Sequence, residues 1–140
     1  MIHKGNALVE GREFRGWFVG DLPAWHGPDP EHNPGSGFDL RTSQNVEMKW
    51  GVHPAGQRRP GGWAPVSGKT CLSILIQGKF RLFFRSPGGE TPGLEHLLEQ
   101  QGDYVLWQEQ VEHDWQAEQD SIVLTVRWQY PPAGEGATAL

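Results

Sequence analysis

Six histidines, one cysteine, seven tryptophans and an adjacent pair of arginines are the side chains through which this 140-residue chain could do chemistry. An imidazole titrates near neutrality, so it serves equally as a general base or a metal ligand. His113 and His53 are the two strongest candidates among the histidines. His26 and His32, with Asp29 and Glu31 between them, have a metal-like composition on a loop stiffened by Pro28, Pro30 and Pro34, where surface exposure is the plainer expectation. His96 is expected on an edge strand facing water. The single Cys71 excludes an internal disulfide and a cysteine-clustered zinc site. Only Lys69 is close enough in sequence to lower its pKa, so Cys71 reads first as a small buried apolar residue. A nucleophilic pair of Cys71 with His113 is the sharper alternative. Arg58 and Arg59 could clamp a carboxylate or phosphate in a bidentate manner, or simply face solvent.

Strands must position these groups. From Val46 the residues alternate, with Val46, Met48, Trp50 and Val52 on one face and Glu47, Lys49, Gly51 and His53 on the other. Positions 71–76 and 79–84 are two β-rich runs around Gln77-Gly78, which reads as a two-residue hairpin loop with glycine supplying a positive φ. Further strands are expected at 14–19, 104–107 and 121–128, while 94–101 is open between a short helix and a strand. Positions 23–38, 54–68 and 86–93 are connections rich in Gly and Pro, the second carrying Arg58, Arg59 and Trp63. Several short strands separated by turn signals argue for an antiparallel sandwich or barrel. Seven tryptophans would fill such an interior or wall a pocket for a flat or apolar ligand.

Composition narrows the classes further. With 19 Gly, 11 Pro and 36 % apolar residues, the chain has enough apolar content for one packed core. No run of eighteen apolar residues occurs, and no apolar stretch follows the first residues, so neither a spanning helix nor a signal peptide is expected and a cytoplasmic location is. The net charge is −5. Through Arg85 there are 11 basic and 7 acidic residues, and beyond it Arg127 alone faces ten acidic ones. An acidic chain lacks the footprint that a phosphate backbone needs, which argues against nucleic acid as a partner. The asymmetry fits solvated strand faces, or complementary patches in a homodimer.

The stretch from Gly102 to Ala117 resembles the second motif of the cupins, which runs Gly, five residues, Pro, one residue, Gly, two residues, His, three residues, Asn. Gly102 and His113 stand at matching spacing, while Gln108, Gln110 and Ala117 replace the Pro, Gly and Asn. Positions 50–78 look like the first motif, with Pro54-Ala55-Gly56 as its turn and Gly78 as its closing glycine. The wording of Trp50 to Gly56 and Leu72 to Phe80 is similar to that of a group of short bacterial cupin-like proteins. The resemblance implies an all-β fold, an antiparallel double-stranded β-helix or jelly-roll barrel. It implies one domain over 1–140, with a core over about 46–128, an N-terminal extension over 1–45 and a tail over 131–140. It also implies a strand at Leu94 to Leu98.

In cupins the first motif supplies His-x-His, then Glu, then Gly. Counting back from Gly78 places Cys71 at the Glu position and the two His positions among residues 64–67, so only His113 matches the usual ligand set. The resemblance therefore implies a degenerate metal site and no cofactor. The alternative is a rebuilt site of His113 and His53, with Cys71 in reach, holding zinc, iron, manganese or nickel. With His113 inward, period-two alternation carries Trp115 and Ala117 inward and Asp114 and Gln116 outward. Cys71, Ser73, Leu75 and Gln77 share the inward face in the same way. The expected pocket is thus a chamber walled by Trp50, Trp107 and Trp115, holding His53, Cys71, Ser73 and His113, with Arg58 at its mouth. Three functions fit: a metal-free protein binding a small molecule, a cupin isomerase or metal-dependent dioxygenase using His113, and a dimeric interaction module.

Overall fold

Alternation that buries every second residue dominates the chain. The computed structural model describes residues 2–12, 15–27, 37–65, 68–89, 93–108 and 110–129. The expected tail over 131–140 and the loop with His32, Asp29 and Glu31 lie outside the described residues.

Nine strands follow one another: β1 Trp17–Val19, β2 Val46–His53, β3 Ala64–Pro65, β4 Lys69–Gln77, β5 Phe80–Arg85, β6 Leu94–Leu98, β7 Tyr104–Trp107, β8 Glu112–Ala117 and β9 Ser121–Gln129. They form one five-stranded sheet in the order β1-β2-β9-β4-β7 and one four-stranded sheet in the order β3-β8-β5-β6. All strand pairs are antiparallel. Each sheet keeps two edge strands, so among the described residues the architecture is two separate sheets and not one closed ladder. Residues 94–98 are a strand, Leu94–Leu98, paired along β5.

Between the sheets lies a core of Cys71, Leu75, Phe80, Leu82, Phe84, Leu98, Trp107, Ala117 and Val123. β5 buries Phe80, Leu82 and Phe84 and leaves Arg81, Phe83 and Arg85 partly exposed, the period-two signature of a sheet with one wet face. Arg81 uses that outer face to pair with Glu95 and Glu118, tying β5 to its neighbours.

Two expectations for β4 and the turn after it change, while a short helix over Leu22–His26 and the strand β3 fall in segments expected as connections. The Gln77-Gly78 turn is a corner and not a hairpin, because β4 pairs with β7 and β9 whereas β5 pairs with β6 and β8. Its tightness comes from Gly78, at φ 99°, which sits against the Asp120 carbonyl and Ser121. Gln77 is exposed and does not share the inward face of Cys71, Ser73 and Leu75, because a bulge between Leu75 and Gln77 shifts the register against β9.

Short helices punctuate the N-terminal segment: α1 Ala7–Glu10, α2 Leu22–His26 and α3 Phe38–Arg41. Asn6 caps α1 by accepting from the Leu8 N–H, and Asp21 caps α2 by accepting from Ala24. Glu10 of α1 pairs with Arg41 of α3 and holds the segment together. None of the described helices is long and apolar enough to cross a membrane.

Candidate functional site

The polar face of β2 turns inward. Glu47, Gly51 and His53 are buried, while Val46 and Val52 are exposed. Glu47 can be interior because it is neutralised there: Lys69 Nζ lies 2.7 Å from its carboxylate, and Arg127, directly across on β9, also pairs with it. Gly51 makes room for His53, since a Cβ at Gly51 would stand 2.5 Å from His53 Nε2. The imidazole therefore folds back along its own strand. Gln57 Oε1 accepts from His53 Nδ1 at 2.7 Å, which leaves the lone pair on Nε2.

His53 packs on Trp115 with ring centroids 4.4 Å apart, and on Phe80 at 5.2 Å. His113 lies 5.1 Å from the Trp107 ring, and its Nδ1 is buried with no hydrogen-bond partner. The Ser73 and Thr125 hydroxyls bond each other at 3.1 Å across β4 and β9. These groups enclose a cavity of about 170 Å³. It is lined by His53, Cys71, Ser73, Trp107, His113 and Trp115, six of the eight side chains singled out from sequence. Trp50 does not line it; it faces a wider vestibule of about 700 Å³ that shares Trp17, Lys49, His53, Arg59 and Trp115 with the inner cavity. Arg58 is exposed and pairs through its backbone with Gln116, while its neighbour Arg59 turns in and lines both spaces.

Sequence reasoning missed Lys49 and Arg127. Both line the inner cavity. Lys49 Nζ lies 5.9 Å from the Trp17 ring and 6.0 Å from Trp115, and the Arg127 guanidinium stacks on Trp17 at 3.9 Å. The signal for Lys49 was present, since it shares His53's face in the alternation, but alternation alone does not say which face of β2 is the interior.

Burial sets the protonation states. It pushes His53 and His113 down to about 4, helped at His113 by Arg59 and at His53 by Lys49, so both rings are neutral at pH 7. Burial pushes the Cys71 thiol up to about 12, so it stays protonated and is a poor nucleophile. Burial also lowers the pKa of Lys49, followed by repulsion from Arg127, Arg59 and Arg15. Lysine and arginine side chains therefore supply the cavity's charge.

Glu47→Gln is expected to destabilise the protein by about 2 kcal/mol, because Arg127 and Lys69 lose their shared counter-charge in a half-buried setting. Urea unfolding of the variant checks this. A midpoint equal to that of the parent protein would mean the carboxylate is dispensable.

No family model matches the chain, and no curated protein matches it. Solved structures do. A cupin superfamily protein from Desulfitobacterium hafniense superposes with a TM-score of 0.52 at 15 % identity, over 63 % of this chain and 71 % of that one. The fold is the cupin fold. Oxalate decarboxylase of Bacillus subtilis, which has Mn(II) centres, matches 62 % of this chain and 22 % of its own length, with a TM-score of 0.52 and 17 % identity. The cupin domain of Drosophila melanogaster CENP-C matches 61 % of this chain at 13 % identity and a TM-score of 0.47. This chain spans 59 % of that domain's length.

The donors of this cupin-fold chain do not suit a metal. Among the described residues no group of three His, Cys, Asp or Glu side chains is placed to hold one. Three cationic side chains line the same space and would repel a divalent ion.

Proposed function

We propose that this cupin-fold protein binds a small organic anion in the cavity between its sheets, without a metal. The observation that carries the reading is the sign of the lining. Lys49, Arg59 and Arg127 face the cavity, and no carboxylate among the described residues lines it. Glu47 offsets part of the charge of Arg127, while no ion pair to Lys49 or Arg59 is formed among the described residues. Neutral imidazoles, a thiol and two hydroxyls add weak donors and acceptors, and Trp17, Phe80, Trp107 and Trp115 supply flat apolar walls. A cavity of about 170 Å³ has room for a molecule of the bulk of about six waters. That space suits a short carboxylic acid.

Calorimetric titration with pyruvate and acetate, against pyruvamide and acetamide as neutral counterparts, tests the reading. The acids are expected to bind and to weaken as salt is added, and the amides are not. Arg59→Ala is expected to weaken the acids about tenfold, the loss of one charge-assisted hydrogen bond, with the protein still folded by circular dichroism. Amides binding as well as acids, or no binding by any of them, would overturn the proposal.

A further inference from the structure

The ammonium of Lys49 stands where a cation has little reason to be. It is half-buried between two tryptophan rings, Trp17 and Trp115, on the inward face of β2. Arg15 from the loop before β1, Arg59 from the loop after β2 and Arg127 from β9 all repel it, and the thiol of Cys71 on β4 stays protonated. Among the described residues no carboxylate stands within ion-pair reach of it, in contrast to Lys69, which has Glu47 at 2.7 Å. Lys49 also lines both the inner cavity and the vestibule, where a molecule entering from solvent would meet it. Burial and like charges together lower its pKa, so the neutral, nucleophilic amine is more accessible from the cation than in a free lysine.

We propose that Lys49 is a carbonyl-reactive amine that condenses with a small 2-oxo acid whose carboxylate is held by Arg59. The proposal rests on the anion-binding reading and adds a covalent step to it. The Nζ lone pair attacks the keto carbon to form a C–N bond, and the carbonyl oxygen takes up the proton that the nitrogen sheds. The resulting carbinolamine loses that oxygen as water with one further proton from solvent, and the nitrogen lone pair closes the C=N bond of a protonated imine. No oxidant or reductant is required. The acid's carboxylate lies next to the new cationic centre and offsets its charge, which explains why an amine among arginines would select a keto acid over a simple ketone.

Incubating the full chain with pyruvate and cyanoborohydride, followed by peptide mapping, tests the step, because the reductant converts the imine to a stable 1-carboxyethyl amine. The adduct is expected on Lys49 and not on Lys4, Lys69 or Lys79, to form faster than the same reaction with acetone, and to be lost in Lys49→Arg. Adduct spread evenly over the four lysines, or no adduct, overturns the proposal. Pyruvate titrated without reductant separates the two readings. Saturable binding with no adduct on Lys49 removes the covalent step and leaves the anion site standing. Absence of both removes both.

Discussion

Lowering the pH from 7 to 5 is expected to cost this protein about 3–4 kcal/mol of stability, through two histidines alone. His53 and His113 have folded pKa values of about 4 against 6.5 in the open chain, chiefly because burial penalises the charged rings. Between those values the unfolded chain binds protons that the folded one refuses, so stability rises with pH through that window and falls as acid is added. At pH 5 each histidine contributes a loss close to 2 kcal/mol, and at pH 7 almost none. Burial sets the direction, and the surroundings are mixed. At His53 the hydrogen bond to Gln57 opposes it and Lys49 adds to it; at His113 Arg59 and Arg127 add to it, against the Ala64 backbone and Asp114. Asp103, whose carboxylate accepts from the Glu99 and Gln100 N–H groups, is held below its usual range and acts only under more acid conditions. Urea unfolding at both pH values measures the loss, and the double variant His53→Gln, His113→Gln is expected to flatten the dependence. Equal midpoints at pH 7 and 5 for the parent protein would show that the rings titrate normally and do not lie inside.

Gly78→Ala is expected to lower stability by about 3–4 kcal/mol, roughly 10 °C or more in Tm for a chain of this size. Two causes add. A side chain at φ 99° is strained by about 1–2 kcal/mol. The new Cβ would also overlap the Asp120 carbonyl and stand 2.5 Å from Ser121 Oγ. That hydroxyl cannot simply yield, because it bridges the Lys79 and Gln119 carbonyls and accepts from the Lys79 N–H. The backbone at the corner between β4 and β5 would have to shift, at a further cost of about 2 kcal/mol. Gly56→Ala is the control. Gly56 has a similar φ of 85°, but nothing lies within 4 Å of the position its Cβ would take. It is expected to lose only the strain. If the two variants melt together, the close approach at the corner is unimportant.

Much of the architecture was legible because it is written in nearest neighbours. Period-two alternation marked β2, β-rich composition marked β4, β5 and β9, and the spacing of Gly102 and His113 carried the cupin resemblance that made residues 94–98 a strand. The same register places His113, Trp115 and Ala117 toward the interior, with Trp115 and His113 lining one cavity. Alternation, however, defines two faces without saying which one meets the opposite sheet. On β2 the alternation left open which set is interior, and the interior proves to be the set that holds Glu47, Lys49 and His53, not the apolar Val46, Met48, Trp50 and Val52. The same blindness made a hairpin of Gln77-Gly78. A glycine turn between two strands is a local signal, whereas the decision to send β5 into the other sheet is made by its pairing with β8 and β6.

The sequence by itself determined most of the strands, though not β3 or β8 as such, together with the all-β class, the glycine at the corner and the presence of histidine, cysteine and tryptophan on alternating positions that share a face. Only the tertiary structure decided that those positions converge with Lys49, Arg59 and Arg127 on one cavity. The physical reason is that an interior charge is tolerated through partners far away in the chain. Glu47 meets Arg127 because β2 pairs with β9, and it meets Lys69 because β4 flanks β9 on the other side. No window of sequence contains that neutralisation, so a polar strand face reads as solvent-facing until the sheet brings its counter-charges alongside it.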